Sequence, residues 1–187
     1  MRYILGTILI AIIFLQACKK EQKDIDTSTP SVNNLVCNPS FEINGQGSLN
    51  CWTVVKDFIT YPDTFSTEVP PNGGQFSLRL EGTKDVNWDP YAESYVTNFS
   101  GQKIVSLSAY IKSLYGGQAI YLWLEHVRGG QVIKSKGDYS WAFNGWRKFN
   151  VTDTLFLQTQ DSLRIKIIQS TGQNSGAYID MVKMTTN

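Results

Sequence analysis

From Leu35 onward, apolar and polar residues alternate with a period of two. Phe76, Leu78 and Leu80 share one face of the run 76–81, while Ser77, Arg79 and Glu81 share the other. Val105, Leu107, Ala109 and Ile111 alternate with Ser106, Ser108, Tyr110 and Lys112, and the run Leu163–Ile167 repeats the pattern. Such alternation predicts strands with one face on a core and one toward water. The run Tyr178–Met184 is strand-like without showing which face is buried. Asn72-Gly73-Gly74, Gly116-Gly117, Gly129-Gly130 and Thr171-Gly172 separate the runs with residues that accept positive φ. Leu122–Val127 and Gln131–Lys134 flank Arg128-Gly129-Gly130 and predict a hairpin. No stretch supports an amphipathic helix of three turns, and no internal repeat is present. The expectation is an all-β, antiparallel β-sandwich or jelly roll of about eight to ten strands in roughly 150 residues.

The first 34 residues follow a different pattern. Arg2 precedes an apolar run from Ile4 to Leu15, interrupted only by Gly6 and Thr7. This is the layout of a secretory signal. The run falls short of the ~20 apolar residues that span a bilayer, although a short transmembrane anchor is the alternative reading. Leu15-Gln16-Ala17-Cys18 then resembles the lipobox of bacterial lipoproteins. The resemblance implies residues 1–17 as a cleaved signal peptide and Cys18 as the lipidated first residue of the mature chain. Each buried CH₂ of an acyl chain contributes about 0.8 kcal/mol to membrane anchoring. Residues 18–34 have almost no apolar residues after Cys18 and read as a tether. The tract Lys19–Asp24 resembles the charged start of surface-exported lipoproteins of the Bacteroidetes type. The implied location is the cell envelope, on a lipid anchor in the outer membrane, and the working domain is 35–187.

Charge narrows the choice of partner. The 187 residues carry 17 Lys plus Arg and 16 Asp plus Glu, a net charge of +1. That balance lacks the basic excess on which nucleic-acid binding depends. One His and three Cys leave little material for a transition-metal site or a His-dependent triad. His126, on an alternating strand, reads as a structural residue. With Cys18 used for lipid, export to an oxidising compartment favours a Cys37–Cys51 disulfide. It would close a loop of about 15 residues, worth roughly 3 kcal/mol in the chain-entropy account. Two buried free thiols are the alternative. The acidic residues are scattered, with no pair marked for glycoside hydrolysis. No phosphate loop, nucleotide fingerprint or zinc spacing occurs, so an enzyme is not expected.

A series of motifs then runs along the domain: Asn38-Pro39-Ser40-Phe41-Glu42 followed by Trp52, Gly73-Gly74-Gln75-Phe76-Ser77-Leu78-Arg79-Leu80, Gly101-Gln102-Lys103, Leu107–Lys112, Gly145-Trp146-Arg147-Lys148-Phe149 and Tyr178-Ile179-Asp180-Met181-Val182. In this order they resemble the galactose-binding-like jelly rolls, in particular carbohydrate-binding modules of families 4, 9 and 22. The resemblance covers about Leu35 to Met184. It implies a jelly-roll fold and a structural Ca²⁺ held by Glu42 and Asp180 with backbone carbonyls, a hard-oxygen set suited to that ion. Met181 stands where family members often carry a second Asp. The alternative is that Glu42 and Asp180 are edge carboxylates stabilised by turn N–H groups. Trp52 and Trp146 match positions that pack in the family.

The remaining aromatics are candidates for a sugar platform, since a ring offers large apolar area with few rotamers to freeze. Tyr121, Trp123 and Glu125 share one side of a strand, with Tyr121 and Trp123 about 7 Å apart. If Ile120, Leu122 and Leu124 face the core, these three line the outer face of a sheet, and Tyr110 on a neighbouring strand would extend the strip. The opposite assignment puts Tyr121 and Trp123 in the core. Trp88 and Tyr91, in the loop Asn87-Trp88-Asp89-Pro90-Tyr91, are a second candidate. Trp141, with Phe143, is a third. The expected function is capture of a poly- or oligosaccharide, and the alternative is a structural or adhesion domain that contacts an envelope protein.

Overall fold

The computed structural model describes residues 34–82, 89–115, 119–141, 143–170 and 175–187. Their strands are β1 (Glu42–Ile43), β2 (Gln46–Gly47), β3 (Thr53–Val55), β4 (Phe65–Ser66), β5 (Ser77–Gly82), β6 (Tyr91–Val96), β7 (Gly101–Ser113), β8 (Ile120–Arg128), β9 (Gln131–Ser140), β10 (Trp146–Leu157), β11 (Ser162–Gln169) and β12 (Ser175–Thr186). No helix occurs among the described residues. Two five-stranded antiparallel sheets form a jelly-roll sandwich. The first runs β10-β7-β12-β5-β4, the second β3-β6-β11-β8-β9, and β1 and β2 form a small separate hairpin.

The period-two runs account for the core. Val105, Leu107, Ala109 and Ile111 of β7 face Ile120, Leu122 and Leu124 of β8 and Leu163, Ile165 and Ile167 of β11 in one buried cluster. Burying each Val, Leu or Ile side chain contributes about 1.5–3 kcal/mol. The expected hairpin is β8–β9, and Gly129 and Gly130 at its turn have φ of 55° and 80°. Two successive positive φ values match the twist of a right-handed hairpin.

Strand β5 departs from the expectation that its polar face meets water. Ser77 and Glu81 are fully buried. Loops cover that face: Ser77 Oγ donates to the Glu68 carbonyl at 2.6 Å, and Tyr115 Oη donates to Glu81 Oε1 at 3.0 Å. Arg79 Nε pairs with Glu81 Oε2 at 2.5 Å. Alternation alone does not distinguish water from a polar loop as the cover.

His126 is buried and structural. Its Nε2 lies 2.7 Å from Asp161 Oδ2, which also accepts the Gln158 N–H at 2.7 Å. Arg128 completes the cluster with Nε on Oδ1 at 2.7 Å and Nη2 on Oδ2 at 2.8 Å. The cluster fixes the turn between β10 and β11. Arg128 first, then the Gln158 N–H and His126, hold the Asp161 carboxyl far below its usual range against the opposing effect of burial.

Strand β9 is an edge strand whose inward positions are polar. Lys134, Lys136, Asp138 and Ser140 pair in register with His126, Leu124, Leu122 and Ile120. They reach across the side of the sandwich to β10. Lys134 Nζ meets Asp153 at 2.7 Å, Lys136 Nζ donates to the Thr152 carbonyl at 2.7 Å, and Asp138 Oδ2 accepts the Asn150 N–H at 3.1 Å.

The start of the domain is tied to its last strand, β12, the middle strand of the first sheet. Leu35 N–H donates to the Met184 carbonyl at 2.9 Å, and Asn34 Oδ1 accepts the Met184 N–H at 3.0 Å. Asn34 Nδ2 donates to the Val182 carbonyl at 3.1 Å. Cys37 and Cys51 form the disulfide, with Cα atoms 5.9 Å apart. The segment it joins carries Trp52, which is buried against Phe41 with ring centroids 4.8 Å apart.

Candidate functional site

Ile120, Leu122 and Leu124 are buried, so Tyr121, Trp123 and Glu125 lie on the outer face of the second sheet. Cross-strand register builds three parallel rows there. The first is Tyr91, Ile168, Tyr121 and Tyr139, on β6, β11, β8 and β9. The second is Glu93, Lys166, Trp123 and Gly137, and the third is Tyr95, Arg164, Glu125 and Ser135. Three strand spacings give each row a span of roughly 14 Å.

Aromatic rings pave the end formed by β8 and β9. The Tyr121 and Trp123 rings are 6.1 Å apart with planes within 11°, and the Tyr121 and Tyr139 rings are 5.7 Å apart within 25°. Gly137 makes this possible. A Cβ at that position would sit 2.6 Å from Trp123 Cε3, so the indole occupies the place of a side chain on β9. A glycine inside a strand often marks such a close approach. Tyr139 is 60% exposed, and Trp141, just beyond β9, is 64% exposed.

The other end is polar. Arg164 pairs with Glu125 through Nε, and its Nη1 lies 3.6 Å from Glu93 and donates to Tyr95 Oη at 3.3 Å. Lys166, on the central strand, has its ammonium 4.3 Å from the centroid of the Tyr91 ring. The surface thus joins stacked rings to fixed donors and acceptors, the combination that an oligosaccharide with apolar C–H faces and a rim of hydroxyls requires.

Tyr91 takes its place in the strip from β6, not from a loop. Tyr110 does not join it. Strand β7 belongs to the first sheet, and Tyr110 lies on that sheet's outer face, beneath Lys148. The alternation marks Tyr110 as outward but carries no information about which sheet its strand enters. Trp88 lies outside the described residues. Phe143 packs on buried Phe149, with centroids 5.7 Å apart, and Trp146 stacks on Tyr178. Sequence reading missed Glu93, Tyr95, Gly137, Tyr139, Arg164 and Lys166. Only the mid-strand glycine and the polar positions of the run 163–167 were signals for them.

A second cluster lies at Glu42 and Asp180. Glu42 Oε2 accepts the N–H groups of Gln75 and Phe76 at 2.7 and 3.1 Å. Asp180 Oδ1 accepts the Met181 N–H at 2.7 Å, while its buried Oδ2 has no hydrogen-bond partner. Burial, with a smaller contribution from the Glu42 charge, pushes the Asp180 carboxyl up to about 8. Gly73 and Gly74 crowd both acids: a Cβ at 73 would lie 2.7 Å from Asp180 Oδ2, and one at 74 would lie 1.9 Å from Glu42 Oε1. Met181, with φ of 50°, sits in the β-bulge that follows Asp180. No group of three or more His, Cys, Asp or Glu side chains suited to a metal occurs among the described residues. A cation here would need backbone oxygens as well. The all-oxygen donors and the orphaned Oδ2 fit a hard cation such as Ca²⁺.

No family model matches the sequence, and no curated protein matches it. Solved structures do. A family 61 carbohydrate-binding module solved with beta-1,4-galactotriose matches 82% of this chain and 99% of its own length, with 14% identity and a TM-score of 0.55. A family 16 carbohydrate-binding module matches 81% and 99%, with 17% identity and a TM-score of 0.56. The chain also covers 82% of itself but only 21% of the enzymatically active domain of bacteriophage CBA120 tailspike protein 4, with 15% identity and a TM-score of 0.63. At these identities the likeness establishes the jelly-roll sandwich fold that carbohydrate-binding modules share.

Proposed function

We propose that this chain is a non-catalytic glycan-binding module carried on a lipid anchor at the cell envelope. The observation that carries the reading is the pavement of Trp123, Tyr121 and Tyr139 on the outer face of the second sheet, with polar groups beside it. The matched modules support it as structures of binding domains, matched over nearly their whole length. A ligand lying across the strands would stack on these rings and hydrogen-bond to Glu93, Glu125 and Arg164. The anchor at Cys18 and the tether would present this face to glycan outside the membrane. Affinity electrophoresis against a polysaccharide panel tests the reading. Binding to at least one polymer is expected, weakened about tenfold or more in Trp123→Ala. No binding to any polymer, with Trp123→Ala silent, removes it. Retention of radiolabelled fatty acid by the wild-type chain and its loss in Cys18→Ala tests the anchor.

Ca²⁺ beside Glu42 and Asp180 is part of the proposal. Its role would be structural, joining the β1 region to β12 and satisfying the orphaned Oδ2. A rise in melting temperature on adding Ca²⁺ to chelated protein, absent in Asp180→Asn, is expected. A melting curve unchanged by chelator and by Ca²⁺ excludes the site.

A protein partner is the second reading, favoured by Phe156 and Ile104, which are 70% and 44% exposed on the outer face of the first sheet. Phe156→Ser would abolish capture of a defined envelope protein while leaving glycan binding intact.

A further inference from the structure

Resting on the glycan reading above, we infer that the strip selects an acidic sugar, a uronate whose carboxylate pairs with Lys166 while the neighbouring residue stacks on Trp123. The outer face of the second sheet carries two cations, Arg164 and Lys166, in its described residues. Arg164 is committed: Glu125 and Glu93 hold its guanidinium from both sides, and Tyr95 takes a further N–H. Lys166 differs. No carboxylate lies within ion-pair distance of it among the described residues, and its ammonium rests 4.3 Å over the Tyr91 ring. Elsewhere Lys134, Lys112, Arg79 and Arg128 have carboxylate partners, whereas Lys136, Arg147 and Lys148 have none among the described residues but lie off this face.

Position gives this lone ammonium its meaning. Strand β11 is the middle of the five strands, and Lys166 sits in register between Glu93 and Trp123. The charge therefore stands inside the aromatic strip, not at its rim. A cation on an exposed aromatic face gains less than a charge-assisted hydrogen bond to an anion contributes. An anionic ligand at this point would draw the ammonium off Tyr91, pair with it and uncover a further ring. Glu93 shares the row of Lys166 and Trp123 but leans toward Arg164 in the next row, where Glu125 also lies.

The test uses the full chain and polymers in matched pairs: polygalacturonate, alginate and a glucuronic-acid-bearing xylan, each beside its carboxyl-reduced form. Isothermal titration at low ionic strength should show at least one acidic polymer binding about tenfold or more tighter than its reduced partner. Added salt should erode that preference. Lys166→Gln should abolish it, and Lys166→Arg should keep it. Equal binding of every acidic polymer and its reduced form overturns the inference, as does a preference that survives in Lys166→Gln. Equal retention by polyglutamate, an anion without sugar rings, also overturns it. Neutral polymers that bind in a Trp123-dependent way without any acidic preference leave the glycan reading standing and remove only the uronate. Binding of no polymer of either kind removes both.

Discussion

Gly137 shows how one missing side chain shapes a surface. The Trp123 indole fills the space a Cβ would take, so Gly137→Ala must displace the ring. The position has no positive φ that would strain an alanine. The variant should therefore fold with a melting temperature within a few degrees of wild type, as expected for a surface substitution of about ±0.5 kcal/mol. Its tryptophan emission and acrylamide quenching should change, and glycan affinity should fall about tenfold, near 1.4 kcal/mol. Unchanged fluorescence would place the indole elsewhere. At this scale the sequence was readable in part. Alternation left Tyr121 and Trp123 either outward or in the core, and the burial of Ile120, Leu122 and Leu124 decides it. It gave no sign that Arg164 and Lys166 sit beside these rings. That depends on β11 pairing with both β6 and β8, which no local pattern encodes.

At the scale of the element, β9 is a ten-residue strand on a sheet edge, the kind of surface that invites pairing with another chain. Its inward positions carry Lys134, Lys136 and Asp138 where an interior strand would carry apolar residues. These side chains close the gap to β10, and inward charges on an edge disfavour addition of a further strand. Replacing Lys134 and Lys136 together with Val should leave a folded protein that elutes larger on size exclusion and scatters light on warming. A monodisperse monomer would count against the argument. The disulfide acts at the same scale. Cys37→Ser with Cys51→Ser should lower unfolding free energy by about 3 kcal/mol in urea titrations, because the 14-residue separation is no longer closed in the unfolded chain. Strand identities and the β8–β9 hairpin were legible from period and turn residues. The buried polar face of β5 was not, because loops distant in sequence cover it.

Across the whole molecule, two carboxyl groups give stability opposite dependences on pH. Asp180, pushed up to about 8 from its ordinary 3.8, is a neutral acid in the cation-free fold at mildly acid pH. A raised folded value contributes stability fully below the unfolded value and loses it as pH climbs through the folded one. Chelated protein should therefore lose stability between about pH 4 and pH 8, and Asp180→Asn should flatten that slope. Asp161, held far below 3.8, does the reverse: its contribution is present above the unfolded value and is lost only on strong acidification. Melting curves from about pH 8 down into strong acid, with and without Ca²⁺, separate the two. The sandwich class was legible from the chain's short alternating runs and glycine turns. The assignment of β7 to the first sheet, which parts Tyr110 from the strip, was not. The tie between Asn34–Leu35 and β12 has a mechanical consequence. A pull on the chain ahead of Asn34 loads its hydrogen bonds to Val182 and Met184 first. Once they part, only Val36 remains to peel away before the load reaches Cys37, where it meets a covalent bond to Cys51. Under the proposed anchor and glycan capture, drag on a bound polymer would thus meet a latch set ahead of the sheets, and the outer face of the second sheet would stay assembled under tension that frays the first residues of the domain.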